Sequence, residues 1–425
     1  MVDSRKPPDE MLSPVNAALI PIRARAQRSI FEREILRVVA TIPTDEVDEP
    51  FEEARTSILK WAAKRAGRQL PEEAWEGLAF EVLAAGRTTL GVRVDVDGSN
   101  VWSIRGDDPD KTIAGRVWST EAPLGQKTGG EILLGVRLLV NSSEDQFSIV
   151  PSVPGLVLQI AENCGLRDDD FIISTRPQMV DDEADAQRLI DWLASSSRRL
   201  PVIVASGDER SDHPNRALVN VDELAKGLCG LAHIVEVPAR FTYLLSDTFG
   251  KSLSTFHGAV RIYNPGFDDL ADARDHRLYL SHSIENNPTA VEADIRSTIA
   301  RDSLRRTRLG FDVVPFATIR SAALRIEQER QVASGATDSE QLRAANRRSE
   351  ALEEENKTLR GEVDQSFDLA SEESERAETA EKQLRAAWAS IDMLQNALRS
   401  QGRDTDSEIR DPDDWDSFSG WCDTN

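Results

Sequence analysis

The sequence predicts an α/β plus α+β globular region followed by a long C-terminal coiled coil, on three observations. A seven-residue repeat, apolar at thirteen of its seventeen seam positions, runs without a break from Leu342 to Leu398. Strand-like and helix-like runs alternate through residues 150–310. Residues 45–150 switch from helical spacing to period-two alternation with glycine-rich turns. The first observation implies a partner helix, the second a mixed or largely parallel sheet, and the third an antiparallel one.

Taken in order, residues 1–14 are polar and proline-containing, a composition that favours disorder. Residues 15–40 read as a basic amphipathic helix. Ile22, Ala26, Ile30, Leu36 and Val39 are its apolar positions, with Arg23, Arg25, Arg28, Arg33 and Arg37 between them. Such a helix suits a membrane surface or an acidic partner; Glu32 and Glu34 favour docking on the chain's own domain. Residues 1–44 are therefore expected to be a disordered start and this helix.

Residues 45–150 are expected to form an α+β domain. Helices are predicted over 51–66 and 71–85, the second started by Pro71 and two glutamates. Strands are predicted at Thr89–Asp95, Val101–Arg105, Gly115–Ser119, Ile132–Leu139 and Gln146–Ile149. Residues 151–315 are expected to form an α/β domain. Its helices are predicted at 154–165 and 181–196 around a short strand, Phe171–Ser174. Leu200–Ala205 and Ala232–Val237 are the buried-strand runs, joined by a helix Val221–Cys229 capped by Asn220 or Asp222. A helix Ala239–Phe249, strands Ala259–Tyr263 and Arg277–Leu280, and a closing helix Pro288–Arg308 follow. A flexible join is expected at Ser334–Thr337, then the coil over 338–400 and an acidic, disordered tail over 401–425.

In the coil, Leu342, Ser349, Asn356, Val363, Ala370, Ala377, Leu384, Ile391 and Leu398 form one seam. Ala345, Leu352, Leu359, Ser366, Glu373, Ala380, Ala387 and Leu394 form the other. Taking these as a and d, Asn356 is a polar a residue of the kind that selects a two-stranded, in-register pair. In a parallel dimer Arg348 would face Glu353, Glu355 would face Arg360, and Arg376 would face Glu381. All three pairs are opposite in sign. The predicted dimerisation residues are Leu342, Leu352, Asn356, Leu359, Val363, Leu384, Ile391, Leu394 and Leu398.

The 425-residue chain carries a net charge of -23. That disfavours unspecific binding to a phosphate backbone. Cys164, Cys229 and Cys422 are too few and too scattered for a disulfide framework. No apolar run is long enough to span a membrane, and the first residues lack a signal-peptide core. A soluble, cytoplasmic protein is expected, and the arginine-rich, lysine-poor usage suggests a bacterial source.

Open α/β sheets bind ligands beyond the carboxyl ends of their strands. There the sequence places Ser206, Gly207, Asp208 and Glu209, then Pro238 and Arg240, then Asn264, Pro265 and Gly266. Asp208, Glu209 and Asp212 are the candidate metal ligands, of the type that hold Mg²⁺ for phosphoryl chemistry. No P-loop or GxGxxG follows a strand, so no nucleotide motif is found and the cofactor stays unassigned. His233 reads as a core or edge histidine, while His276 and His282 flank one short strand and could share a pocket. Cys164 and Cys229 sit in apolar runs and read as inert. Arg301, Arg305, Arg306 and Arg308 cluster at a helix end, either complementing its dipole or contacting an anion. In the tail, Trp415, Phe418 and Trp421 within an acidic segment read as a protein-docking motif.

These features imply a non-enzymatic dimeric scaffold or adaptor of a bacterial multiprotein system, assembling through the coil and the tail. Two alternatives stay open. One is a metal-dependent nuclease or other phosphoryl-cleaving effector dimerised by the coil. The other is a nucleic-acid sensor, which would need a continuous basic face.

Overall fold

The computed structural model describes residues 31–44, 49–96, 99–127, 130–142, 149–334 and 337–400. The chain divides into two compact units, Met1–Thr358 and Leu359–Asn425. The described part of the second is the later stretch of one helix.

The first unit is organised by two sheets. The larger, of eight strands among the described residues, runs β2-β3-β4-β5-β6-β1-β7-β8. Its long members are β1 (Phe31–Ile42), β3 (Arg87–Val96), β4 (Ser99–Pro109), β5 (Val117–Lys127) and β6 (Ile132–Ser142). The short ones are β2 (Phe80–Ala84), β7 (Arg167–Asp168) and β8 (Phe171–Ile172). All the pairings are antiparallel. The smaller sheet runs β13-β12-β10-β11-β9, with β9 (Gln178–Met179), β10 (Val202–Ser206), β11 (His233–Val237), β12 (Val260–Tyr263) and β13 (Leu278–Tyr279).

β10 and β11 are parallel neighbours, as their two apolar runs predict, and α5 (Val221–Gly227) lies between them in the chain. Asn220 caps α5, accepting from Glu223 N at 3.1 Å. The sheet is mixed, not largely parallel: β9 is parallel to β11, while β12 and β13 are antiparallel additions. After α6 (Thr242–Phe249), residues 250–259 bring the chain into β12, which runs beside β10 in the opposite sense.

One apolar core lies between the two sheets. It collects Leu36, Val38, Ala40 and Ile42 of β1, Trp102 and Ile104 of β4, and Leu134 and Val136 of β6. It also takes Ile58 and Leu59 of α1 (Pro50–Ala66) and Leu156 and Ile160 of α3 (Gly155–Asn163). From the smaller sheet's side come Ile203, Ile234 and Ile262, with Leu224 of α5, Ile284 of α7 (Ser281–Asn286), and Ile295 and Ile299 of α8 (Pro288–Arg306). This core runs continuously across the boundary expected at residue 150. A second core covers the far face of the smaller sheet, where α4 (Glu183–Leu193) and α6 pack on Val202, Val204, Val235 and Val237.

The expected basic helix is overturned where it is described. Residues 31–40 are strand β1; residues 15–30 lie outside the described residues. Leu36, Val38, Ala40 and Ile42 face the core, while Glu34 and Arg37 face the other side, a bulge between Glu34 and Leu36 restoring their common face. Burial of the polar face is what the helical reading could not anticipate. The helix expected over 71–85 is also corrected. Only α2 (Glu72–Trp75) is helical, Gly77 turns the chain at a φ of 78°, and Phe80–Ala84 is strand β2. Residues 146–148 of the expected Gln146–Ile149 strand lie outside the described residues, as does the 401–425 tail, and Ile149 is not in a strand. The sequence reading missed α9 (Phe316–Ala333), which packs Phe316 and Ile319 on Val92 and Val94, on the outer face of the larger sheet.

That outer face carries a row of charges in strand register. Arg105 on β4 is paired with Glu121 on β5, Glu121 with Arg137 on β6, and Arg137 with Arg37 on β1. Arg137 donates to Glu34 from Nε at 3.1 Å and Nη2 at 3.0 Å, and from Nη1 to Glu121 at 2.9 Å. Arg37 adds a second fork to Glu34, at 2.9 and 2.7 Å. Glu121 also accepts from Arg105 at 3.1 Å and from the Phe316 backbone N–H at 3.2 Å.

Burial pushes the pKa of Glu34 up, but the Arg137 and Arg37 guanidiniums outweigh it and hold the carboxyl below its ordinary range. Its contribution to stability is complete above the unfolded-state value of about 4.3. It is lost as pH falls through the lower folded value. Glu34→Gln leaves two buried guanidiniums facing one another, so it should cost about 3–5 kcal/mol in urea unfolding at neutral pH. The variant should also lack the wild-type loss of stability below about pH 4.3 that this carboxylate supplies. An unchanged urea midpoint would show that the row does not bear on stability.

Candidate functional site

The longest element is α10 (Asp338–Ser400), and its start carries the returning half of a capping box. Thr337 Oγ1 donates to Glu340 at 2.7 Å, and the same carboxylate accepts from the Thr337 backbone N–H at 2.9 Å. This Thr-x-x-Glu signal lies at the end of the expected join and marks the helix start in the sequence. Of that join, residues 335 and 336 lie outside the described residues. Farther along, exposed pairs Glu378–Lys382 and Glu381–Arg385, at 2.6 and 3.4 Å, add the small i,i+4 support that such pairs give.

The first five turns of α10 bury one face. Ala344, Ala351 and Thr358 are 4%, 2% and 7% exposed. Arg348 donates to Gln328 of α9 at 2.9 Å, and Arg320 of α9 donates to Glu354 at 2.7 Å.

The predicted a/d seam lies elsewhere on the helix, roughly 100–160° round from Ala351 at 3.6 residues per turn. Leu342 and Leu352 are 63% and 39% exposed. Asn356 is exposed and returns Nδ2 to the Leu352 carbonyl at 3.0 Å. In the second unit Leu359, Val363 and Leu394 are exposed, and Leu384 and Ile391 are half-buried. The side chain of Leu398 lies outside the described residues. One of the predicted inter-helix charges, Arg348, is already engaged within the chain by Gln328.

The carboxyl edge of β10 and β11 is occupied by the chain itself. Gly207 N–H donates to Val237 O at 2.8 Å, and Gly258 N–H to Gly207 O at 3.1 Å. A Cβ at Gly207 would stand 2.0 Å from the Pro214 carbonyl oxygen. Ala239 N–H donates to that same oxygen at 3.1 Å, and Ala217 N–H donates to the buried Glu236 carboxylate at 2.6 Å. The loop after β10 thus folds back over the edge where a ligand was expected.

The three candidate metal ligands are not brought together. Asp208 is buried and held by the Arg210 guanidinium at 2.9 and 2.8 Å, a contact that keeps its carboxyl below the usual range. Glu209 faces Tyr243, whose hydroxyl donates at 3.3 Å. Among the described residues no group of three or more His, Cys, Asp or Glu side chains could hold a metal ion. His276 is buried against Phe267 and accepts the Asn264 N–H at 3.0 Å, while His282 is exposed, so they share no pocket. His233 is buried edge-on to Trp192. Burial pushes the Cys164 thiol up to about 11 and the Cys229 thiol up to about 12. The arginine cluster is split: Arg306 and Arg308 line a cavity, with Arg37, Arg199 and Asp168, which the sequence reading did not single out. Trp415, Phe418 and Trp421 lie outside the described residues.

No helix among the described residues is long and apolar enough to cross a membrane. No protein-family model, curated protein or solved structure matches this chain.

The backbone closure over β10 makes a direct prediction. Gly207→Ala forces its methyl into the Pro214 carbonyl, and the expected cost is about 1–3 kcal/mol of stability. Limited proteolysis within residues 208–216 should speed up in the variant. Wild-type cleavage rates would show that the loop is not held there.

Proposed function

We propose that this protein is a non-enzymatic scaffold or adaptor that acts as a homodimer, two copies of α10 pairing in parallel along the seam from Leu342 to Leu398. The observation that carries the reading is the separation of two faces on one helix. Ala344, Ala351 and Thr358 already satisfy packing within the chain, while Leu342, Leu352, Leu359 and Val363 stay exposed at heptad spacing. A narrow apolar stripe on a 63-residue helix is buried by another helix of the same length more completely than by a small domain. Asn356 favours two strands, in register. The acidic tail, with Trp415, Phe418 and Trp421, supplies a second docking element for a protein partner of the assembly, since its charge is unsuited to nucleic acid.

No observation favours the metal-dependent effector, because Asp208 is committed to Arg210 and the strand edge is covered by residues 207–217. For the nucleic-acid sensor, the groove between Trp61 and Trp118 is a basic surface, yet its Arg65 and Arg87 are paired with Asp108 at 2.6 and 3.2 Å.

Sedimentation equilibrium of the full chain at tens of micromolar should give twice the 47.1 kDa chain mass. The double variant Leu352→Glu, Leu359→Glu should sediment as a folded monomer. In a Cys422→Ser background, Asn356→Cys should oxidise readily to a disulfide-linked dimer, because only a parallel, in-register pair brings position 356 against itself. A monomeric wild type would overturn the pairing. A dimer that resists the Asn356→Cys cross-link would overturn its orientation.

A further inference from the structure

A cavity of about 240 Å³ opens between β1, the turn before β11 and the end of α8. Four arginines line it, Arg37, Arg199, Arg306 and Arg308, against two carboxylates, Asp168 and Asp312. In a chain with a net charge of -23, a net positive pocket runs against the average. The commitments of these groups differ. Both carboxylates are engaged: Asp168 accepts from the N–H groups of Arg199 and Leu200 at 3.1 and 2.9 Å, and Asp312 from Arg308 N–H at 2.6 Å. Arg37 is committed to Glu34 and to the Thr307 carbonyl, at 2.9 Å. Arg306 is not. Its Nη1 is buried without a hydrogen-bond partner, and its Nη2 reaches the Leu231 carbonyl only at 3.5 Å. Arg199 uses Nε on Asp168 at 3.2 Å and keeps 56% of its side chain exposed. Arg308 lies over the Phe311 ring at 4.4 Å, with its side chain 74% exposed.

A buried guanidinium N–H without an acceptor is costly, and the group that removes the cost is an oxyanion. We propose that this cavity binds a phosphate-type oxyanion, either free phosphate or the phosphate of a small monoester. Arg306 supplies the inner donor, and Arg199 and Arg308 close on the anion from the mouth. The volume falls below the roughly 300–1,000 Å³ of pockets for larger ligands, which limits the substituent to a few atoms. The site is built where three parts of the first unit meet. Gly230, with a φ of 78°, brings the turn before β11 against Val38 of β1, where a Cβ would stand 2.7 Å from Val38 Cγ1. Ser303 and Thr307 bring in the end of α8. A bound anion therefore ties both sheets to the turn that leads into α9.

The test is calorimetric titration of the full chain with inorganic phosphate and with glycerol phosphate, at constant ionic strength, with chloride as the control. Saturable binding of at least one phosphate species, and none of chloride, is the expected result. The tighter of the two identifies the source of the phosphate. Arg306→Met should weaken binding roughly 10- to 100-fold, the loss of one hydrogen bond to a charged group. It should leave the thermal midpoint of the unliganded chain equal or higher, since Nη1 has no partner to lose. Arg199→Gln, at an exposed position, should also weaken binding while the fold is unchanged. No saturable heat up to tens of millimolar overturns the proposal. So does phosphate binding at wild-type strength in Arg306→Met or, if that variant does not fold, in Arg199→Gln.

Discussion

The buried ion row on the outer face of the larger sheet is the constraint on which the rest of the first unit depends. Glu34 receives two guanidinium forks, and Glu121 receives two arginines and the N–H of Phe316. Each carboxylate has two guanidinium partners, so losing one arginine leaves it paired, whereas losing Glu34 leaves Arg37 without a carboxylate. Its geometry follows from register. A one-residue slip of β5 against β6 would turn Glu121 to the apolar side, and Arg137 would lose a partner as Trp102 and Ile104 lost theirs. Charge and apolar packing thus specify the same alignment from opposite faces of the sheet.

The row also reaches the helices. The short segment from Thr307 to Pro315 lies over this face and is pinned at three points. Arg37 Nη1 holds the Thr307 carbonyl at 2.9 Å. Val313 is 2% exposed and sits over Gly135, where a Cβ would come within 2.8 Å of Val313 Cγ1. Phe316, at the first turn of α9, places its N–H on Glu121, so a carboxylate meets the positive end of that helix. These contacts orient α9, and α9 in turn holds the opening turns of α10 through Gln328 and Arg320. The apolar seam of α10 stays exposed while a different face, that of Ala344 and Ala351, is buried.

What the sequence reveals and what it conceals follows from these same residues. The long helix is legible because its repeat is written locally, residue by residue. The parallel neighbours β10 and β11 are legible because runs such as Leu200–Ala205 are apolar on successive residues, which suits a strand buried on both faces. β1 is misread because Glu34 and Arg37 are charged yet buried, at 5% and 6% exposure. Charged residues among apolar ones resemble the wet side of a helix until their partners, Arg137 and Thr307, arrive from more than a hundred residues away. The closure over β10 is hidden for a related reason. Pro214 meets Gly207 by backbone, and a loop's backbone contacts leave no pattern of side-chain types.

The pocket behind Arg306 shows how the same chemistry divides into stabilising and available parts. Arg37 and Arg306 are both enclosed guanidiniums beside α8. Arg37 has a carboxylate that takes both arms of its fork and a carbonyl for the remaining nitrogen, so its charge is spent on structure. Arg306 has an acceptor at the limit of hydrogen-bond distance on one nitrogen and none on the other. A fold that needed Arg306 only to fill space could use methionine at lower desolvation cost. Retaining a guanidinium there, beside a cavity and beneath two half-committed arginines, makes sense when its acceptor comes from outside the chain.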